Sequence, residues 1–278
     1  MSLTSFIAEP DVKAKLRETF PYIRFQLEQK PVMNALTNHY ALIGTAFDYL
    51  MRWYLQKRYT HAKDKPWVAE IAAIKQYDQI AALYNTQTAK KAVKFVLEAK
   101  QHHKQFLADG VLTDNVIISA ILLAQIDSFF RAEKLYEPFG SIDPHDIQDL
   151  RQLVSIIPTA DFPSHSLCLL DPTFGSSLLV HGADVDLVVD HAIIDIKTVK
   201  TLQMKREYID QLLGYYTLYR LGGINGAPAD HTITHLGIYF SRHGYLYTFP
   251  VSLFIDEIKY TPFLAWFEHR AKQLFGPY

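Results

Sequence analysis

Two neighbouring apolar runs of the sequence carry acidic and basic side chains that a plain buried strand would not need. Residues 185–197 read VDLVVDHAIIDIK, and their branched side chains predict a β-hairpin that turns at Asp190 and His191. Strands joined by such a turn pair outward from it, so Asp186 is expected directly across from Asp195. Two carboxylates facing each other across a sheet repel. They therefore need a shared proton or a cation.

A divalent ion that takes oxygen ligands is the cation that suits this pair. Mg²⁺ or Mn²⁺ would relieve the repulsion between Asp186 and Asp195. Lys197 lies two residues beyond Asp195 and on the same face of the strand, where it is placed to hold a phosphate oxygen or a water molecule. The pattern predicts metal-assisted hydrolysis of a phosphodiester. The alternative is a solvated sheet face, opposite a core face formed by Ala192, Ile194 and Ile196, on which these charges only keep the strand soluble.

The order of motifs around this hairpin resembles the PD-(D/E)XK nuclease superfamily, in particular its RecB-like branch. That branch has a strand with a Gly-x-x-Asp or Ala-Asp pattern, then a hairpin, an (I/V)-D-x-K strand and a helix with Q-x-x-x-Y. Here residues 182–186 read GADVD, residues 194–198 read IDIKT, and Gln211 is followed four positions later by Tyr215. The resemblance covers residues 184–215 clearly and residues 44–50 weakly.

The resemblance implies roles for the residues of the hairpin. Asp186 and Asp195 would bind Mg²⁺ or Mn²⁺, and Ile196 would lend its main-chain carbonyl. Lys197 would orient the attacking water and stabilise developing charge.

Gln211 and Tyr215 lie four residues apart and so share one helix face. The resemblance implies that they position substrate or catalytic groups beside the site. The alternative is that they simply pack a helix against the sheet.

An upstream helix of the same branch carries Gly-x-x-x-His, whose imidazole is another metal ligand. In this chain Asp48 stands four residues after Gly44. A carboxylate is itself a good ligand for Mg²⁺, so Asp48 is a candidate third ligand, with an ordinary surface residue as the alternative. His39 and Glu28 are weaker candidates for that role.

Helical periodicity dominates the first part of the chain, and short runs of branched residues follow it. This order predicts an α/β or α+β protein whose sheet is covered by helices. The resemblance implies the α/β class, with a restriction-endonuclease-like central mixed β-sheet flanked by helices and a large N-terminal helical region. Because no linker is evident, we expect one domain over 1–278, mainly helical in 1–157 and with the catalytic sheet core in 158–278. The predicted helices cover 38–58, 88–107, 114–135, 144–157, 207–221 and 252–275, and the predicted strands cover 167–170, 177–180, 184–189, 192–199, 234–241 and 245–251.

Composition narrows the possible compartment and chemistry. The single cysteine, Cys168, excludes an intrachain disulfide and a cysteine zinc cage. No signal peptide is evident, and the apolar run 116–126 is about half the length of a membrane span. We therefore expect a cytoplasmic protein with no membrane association. The scattered histidines do not predict a zinc site, and no P-loop, dinucleotide-binding or serine-hydrolase motif is present.

The formal net charge of -1 means that any affinity for nucleic acid must come from a local patch. The leading hypothesis is a divalent-metal-dependent nuclease whose expected partner is nucleic acid and whose expected substrate is DNA. The alternative is a catalytically inactive nuclease-fold module that binds nucleic acid or a protein partner, and a purely structural subunit is a weaker third option. Exonuclease and endonuclease activity both stay open. Two groups of basic residues are candidate contacts for the phosphates of nucleic acid, and one group of tyrosines could stack on its bases. The basic groups are Lys90, Lys91, Lys94, Lys100 and Lys104, and Lys197, Lys200, Lys205 and Arg206; the tyrosines are Tyr208, Tyr215, Tyr216 and Tyr219.

Overall fold

The protein is of the α/β class, with a mixed β-sheet flanked by helices. A computed structural model describes residues 2–21, 23–157 and 162–276. The chain divides into two compact units. The sheet unit comprises residues 1–30, 158–240 and 245–278, and the helical unit comprises residues 31–157 and 241–244.

Most helices of the described part of the chain precede the strands of the sheet unit. In chain order they are α1 (Leu3–Ala8), α2 (Pro10–Thr19), α3 (Tyr40–Arg58), β1 (Ala62–Asp64), α4 (Val68–Lys75), α5 (Tyr77–Leu83), α6 (Thr86–Asp109), α7 (Asp114–Ala132), α8 (Pro144–Ser155), β2 (Cys168–Leu170), β3 (Leu187–Val189), β4 (Ala192–Lys197), α9 (Arg206–Gly222), β5 (His235–Phe240), β6 (Tyr245–Pro250) and α10 (Glu257–Phe275).

Strands β2 to β6 of the sheet unit lie side by side in sequence order. β2, β3 and β4 form an antiparallel meander, β4 and β5 are parallel, and β5 and β6 are antiparallel. The predicted hairpin register is confirmed, since Leu187 pairs with Ile194 and Val189 with Ala192. Extended by one pair beyond Leu187 and Ile194, the same register predicts Asp186 opposite Asp195. The first strand is shorter than predicted, because the preceding bridge joins Asp184 to Thr173.

The predicted strand 177–180 is wrong, because Ser177–Val180 forms a 3-10 helical turn. The Leu179 N–H donates to the Ser176 carbonyl at 3.0 Å. The Ser176 hydroxyl donates to the Leu218 carbonyl of α9 at 2.7 Å, which ties the start of the turn to that helix. A short run rich in branched residues does not by itself distinguish such a turn from a strand.

Helix α9 follows β4 in sequence and packs against β4 and β5. Its apolar side chains join Ile193 and Ile238 in the core of the sheet unit. The expectation that Ala192, Ile194 and Ile196 form the core face of β4 is therefore wrong in part, because Ile193 lies in the core whereas Ala192 and Ile196 are only partly buried. Ile193 is fully buried, so the face of β4 that carries Asp195 is covered by a helix rather than by water.

The first 30 residues belong to the sheet unit and not to the helical region in which we expected them. Leu3 of α1 lies against Gly214 of α9, where an added Cβ would come within 3.0 Å of a Leu3 methyl carbon. Phe6 packs edge-on against Phe267 of α10, with 4.9 Å between the ring centroids. Burial of apolar side chains from distant parts of the chain thus completes this unit.

Helix α7 forms the centre of the helical unit, where it contacts α3, α4, α6 and α8. It is the one described helix whose length and composition would suffice to cross a membrane, and 67% of its apolar window is buried inside the fold. Burial among neighbouring helices accounts for its apolar character, as in the core helix of a globular protein.

The turn between β3 and β4 is held by the Asp190 carboxylate. It accepts hydrogen bonds from the N–H groups of His165, Ser166 and Leu167 at 2.8–3.0 Å. Asp190 itself has a positive φ of 45°, which Asp tolerates better than most residues. Desolvation opposes ionisation, but the donated hydrogen bonds prevail and lower the pKa of Asp190 to about 2.

We expect Asp190→Asn to lower the free energy of unfolding by about 1 kcal/mol at neutral pH, because an amide cannot accept all of these hydrogen bonds. A pKa lowered by folding gives stability that is fully present above the unfolded value of about 3.9 and is lost as pH falls towards about 2. Urea denaturation of both proteins between about pH 7 and pH 3 checks this. The difference between them should narrow below about pH 4. A difference independent of pH would contradict the role given to the carboxylate.

Candidate functional site

Asp195 of β4 is a buried carboxylate with a single cationic neighbour among the described residues. The residue is 3% exposed, and the Lys197 ammonium lies 2.6 Å from Asp195 Oδ2. The contact is an ion pair, and Oδ2 accepts no hydrogen bond of regular geometry from the described part of the chain. Burial raises the pKa of Asp195, and Lys197 opposes that shift. The site thus favours additional positive charge close to this carboxylate.

Lys197 is held as an ammonium in a largely buried position. Burial alone would lower its pKa, but the Asp195 and Asp186 carboxylates more than offset this and raise it. The side chain stays cationic at neutral pH. It can therefore donate hydrogen bonds and stabilise negative charge, but it cannot accept a proton.

The predicted helix residues join the same cluster. Lys197 Nζ donates to Gln211 Oε1 at 2.8 Å, and Gln211 Nε2 donates to the Tyr215 hydroxyl oxygen at 2.8 Å. Gln211 and Tyr215 lie one helical turn apart on α9, which packs on β4. A chain of polar contacts therefore runs from Asp195 through Lys197 and Gln211 to Tyr215.

Asp186 lies near these contacts and directly precedes β3. Its carboxylate accepts a hydrogen bond from the main-chain N–H of Ile196. Burial, followed by the charges of Asp195, Asp186 and Asp184, raises the pKa of Tyr215 well above its ordinary value. The negative charges of three carboxylates thus act on one buried hydroxyl group, which shows that negative charge is concentrated at the site.

Asp186, Asp195 and the Ile196 carbonyl are the groups that could hold a divalent cation. The described residues contain no cluster of three or more His, Cys, Asp or Glu side chains arranged around a common point. Mg²⁺ commonly binds through one or two carboxylates, with waters and substrate phosphates as its other ligands. Two carboxylates and one carbonyl are a donor set of that kind.

Asp48 lies in the helical unit, where Arg52 Nη2 approaches its Oδ2 at 3.0 Å. The same guanidinium pairs with Asp64 at 3.3 Å. Burial raises the pKa of Asp48, and Arg52 opposes that shift. Asp48 thus has a cationic partner within its own unit, and its role as a metal ligand stays a prediction.

The weaker candidates for the upstream ligand also have partners. His39 Nδ1 lies 2.9 Å from Asp146 Oδ2 in the helical unit. Glu28 pairs with Lys30 at 2.9 Å in the sheet unit.

Three of the five lysines of α6 are engaged within the helical unit. Lys91 Nζ donates to the Phe139 carbonyl at 3.1 Å. Lys94 pairs with Glu98 and Lys100 pairs with Glu70. These contacts favour a solvated, salt-bridged helix face over a nucleic-acid surface.

Two aromatic residues of the site lie outside the predicted motifs. Phe174 stacks on Tyr215, with 5.8 Å between ring centroids and 21° between ring planes. The Tyr208 ring lies 5.2 Å from Lys197 Nζ. The position of Phe174 beside Tyr215 could not be predicted from the sequence, because the loop that carries Phe174 has no hydrophobic periodicity. The sequence predicts Tyr208 as a candidate contact for nucleic acid and gives it no role beside Lys197, although its position seven residues before Tyr215 places both near one face of α9.

Comparison of the chain with models of protein families, with curated proteins and with solved structures finds no match in any of the three. The resemblance to PD-(D/E)XK nucleases therefore rests on the motif residues and their geometry alone.

Proposed function

We propose that the protein is a divalent-metal-dependent nuclease that hydrolyses phosphodiester bonds in DNA, built on a restriction-endonuclease-like core. The observation that carries the proposal is the partly buried series of contacts from Asp195 through Lys197 and Gln211 to Tyr215. The order of antiparallel hairpin and following helix, β3, β4 and α9, supports it. A cytoplasmic location is part of the proposal, and Cys168 as a buried free thiol is compatible with it.

Asp186, Asp195 and the Ile196 carbonyl are the groups that would hold Mg²⁺ or Mn²⁺. When bound, such an ion supplies Lewis-acid polarisation of a phosphoryl oxygen and lowers the pKa of a coordinated water. The hydrogen bond from the Ile196 N–H fixes the orientation of Asp186 towards β4. The hairpin register, extended by one pair beyond Leu187 and Ile194, supports a position of this carboxylate opposite Asp195.

Lys197 supplies the fixed positive charge of the proposed reaction. Because it stays protonated, it orients the attacking water by donating to it and stabilises the charge that develops on the phosphoryl oxygens. Gln211 holds the ammonium from the α9 side. That contact would hold Lys197 in place while Asp195 serves as a ligand of the cation.

The test is cleavage by the purified full chain. Linear and circular DNA, single-stranded and double-stranded, together with RNA of the same sequence, are incubated with Mg²⁺ or Mn²⁺ and with EDTA. We expect cleavage of DNA with either metal and none in EDTA. Products from linear ends only would indicate an exonuclease. Absence of cleavage of every substrate with both metals would refute the proposal.

A second candidate function is a catalytically inactive module that binds nucleic acid or a protein partner. The observation that favours it is the ion pair between Asp48 and Arg52, at the position where the RecB-like branch has a histidine ligand. This candidate predicts that DNA binding persists in EDTA and that no substrate is cleaved. The proposed nuclease instead predicts metal-dependent cleavage, so one assay separates the two.

Gln211→Leu removes both the acceptor for Lys197 and the donor to Tyr215. We expect cleavage to fall by about 10–100-fold, which is the usual effect of losing a group that orients a catalytic side chain. Steady-state kinetics should show the loss in kcat, with KM changed little. Gln101→Leu, on the exposed face of α6, is the matched control and should leave kcat unchanged. Equal kcat values for the two variants would exclude a positioning role for Gln211.

A further inference from the structure

The basic residues Lys205 and Arg206, which follow β4, differ in their contacts. Arg206 begins α9, and its Nε pairs with Asp210 at 2.7 Å. Its two terminal nitrogens donate to the carbonyls of Phe20 and Leu16 at 3.1 and 3.2 Å. Arg206 is therefore occupied in joining α2 to α9 and is not available to a substrate.

Lys205 immediately precedes α9 and differs from Arg206 in both exposure and partners. It is exposed, and it forms no ion pair with the residues that the structure describes. Its ammonium lies 5.8 Å from the centroid of the Tyr208 ring. The aromatic ring is its neighbour, which leaves its three donors open to an anion.

Tyr208 connects Lys205 to the candidate site. Lys197 Nζ lies 5.2 Å from the centroid of the same ring. Two ammonium groups therefore lie near one aromatic ring, whose negative faces attract both. The ring is partly buried and packed against the core of the sheet unit, so it is a fixed support for both lysines.

We propose that Lys205 binds the phosphate next to the scissile one and that Tyr208 is a positioning residue for Lys197. The proposal rests on the proposed function, since it assumes a nucleic-acid backbone at Lys197. Lys205 and Lys197 lie beside the same ring. The phosphate at Lys205 would therefore be the neighbour, on the same nucleic-acid strand, of the phosphate at Lys197. A single ammonium group binds a phosphate through its charge and makes no contact that distinguishes one base from another. The proposed contact therefore predicts that Lys205 contributes equally to the binding of DNA of any base sequence.

Lys205→Ala tests the phosphate contact by binding as well as by activity. Affinity for a short single-stranded DNA is measured without metal over a range of salt concentrations. We expect the slope of log K against log salt to fall in magnitude by about 0.7. In cleavage assays KM should rise by about fivefold with kcat unchanged. Lys259→Ala, an exposed lysine of α10 in the same unit, should change neither quantity.

Tyr208→Leu and Tyr208→Phe test the positioning role. Loss of the ring should lower kcat by about tenfold, and Tyr208→Phe should keep it within about twofold of wild type because the ring remains. Equal kcat values for Tyr208→Leu and wild type would overturn the role of the ring. An unchanged salt slope in Lys205→Ala would overturn the phosphate contact. Each of these two results is compatible with a wild-type protein that cleaves DNA. Absence of DNA cleavage by the wild-type protein would instead refute the proposed function.

Discussion

Asp195→Asn is expected to lower DNA cleavage by about a thousandfold while the sheet unit stays folded. The amide keeps the shape of the buried side chain but removes the negative charge that a divalent cation needs, at a cost of about 4 kcal/mol in transition-state stabilisation. Lys197 donates a hydrogen bond to Gln211 as well as pairing with Asp195, so we expect it to stay in place in the variant. Single-turnover cleavage assays measure the rate, and calorimetric titration with Mn²⁺ measures the affinity for metal, which should fall in parallel.

The control for this variant is Asp230→Asn, an exposed aspartate of the same unit. It removes one negative charge without touching the site and should leave both quantities unchanged. If Asp195→Asn cleaved DNA at the wild-type rate, or bound Mn²⁺ as tightly as wild type, the assignment of Asp195 as a ligand would be wrong.

Asp149→Ala is expected to lower the free energy of unfolding of the helical unit by about 3–5 kcal/mol. The Asp149 carboxylate receives two hydrogen bonds from the Arg242 guanidinium, at 2.8 and 2.9 Å. Both side chains are almost fully buried, at 0% and 1% exposure. Removing the carboxylate leaves an uncompensated buried charge. Two of the three tryptophans, Trp53 and Trp67, lie in this unit, so fluorescence during urea denaturation reports its unfolding.

The double variant Asp149→Leu with Arg242→Met separates the ion pair from simple loss of packing. Replacing both charges by apolar groups of similar size removes the unpaired charge and should recover most of the lost stability. A double variant as unstable as Asp149→Ala would show that the loss comes from packing and not from the orphaned guanidinium.

Local patterns in the sequence were sufficient to predict the hairpin and its register. The branched residues of 185–197 and the turn at Asp190 fix which residues oppose each other, because side-chain alternation in strands has a period of two. The i, i+4 spacing of Gln211 and Tyr215 likewise placed both on one face of α9. These predictions depend on neighbours within one hairpin or one helix.

Features that depend on distant parts of the chain could not be predicted in the same way. The pair of Asp149 and Arg242 joins residues that are 93 positions apart, and no local pattern connects them. The start of the turn at Ser177–Val180 is tied to α9 by the hydrogen bond from Ser176 to the Leu218 carbonyl. Burial of Asp195 requires that α9 cover β4, a result of packing that composition and periodicity do not specify.

The most direct test of the central claim, that Asp186 and Asp195 hold a divalent cation, is a crystal of the full chain grown with Mn²⁺. Anomalous difference density collected from it locates manganese without reference to activity. We expect a peak between the two carboxylates, and the same peak should be missing in Asp195→Asn. Manganese absent from that position in a wild-type crystal, with the metal present in the mother liquor, would contradict the account.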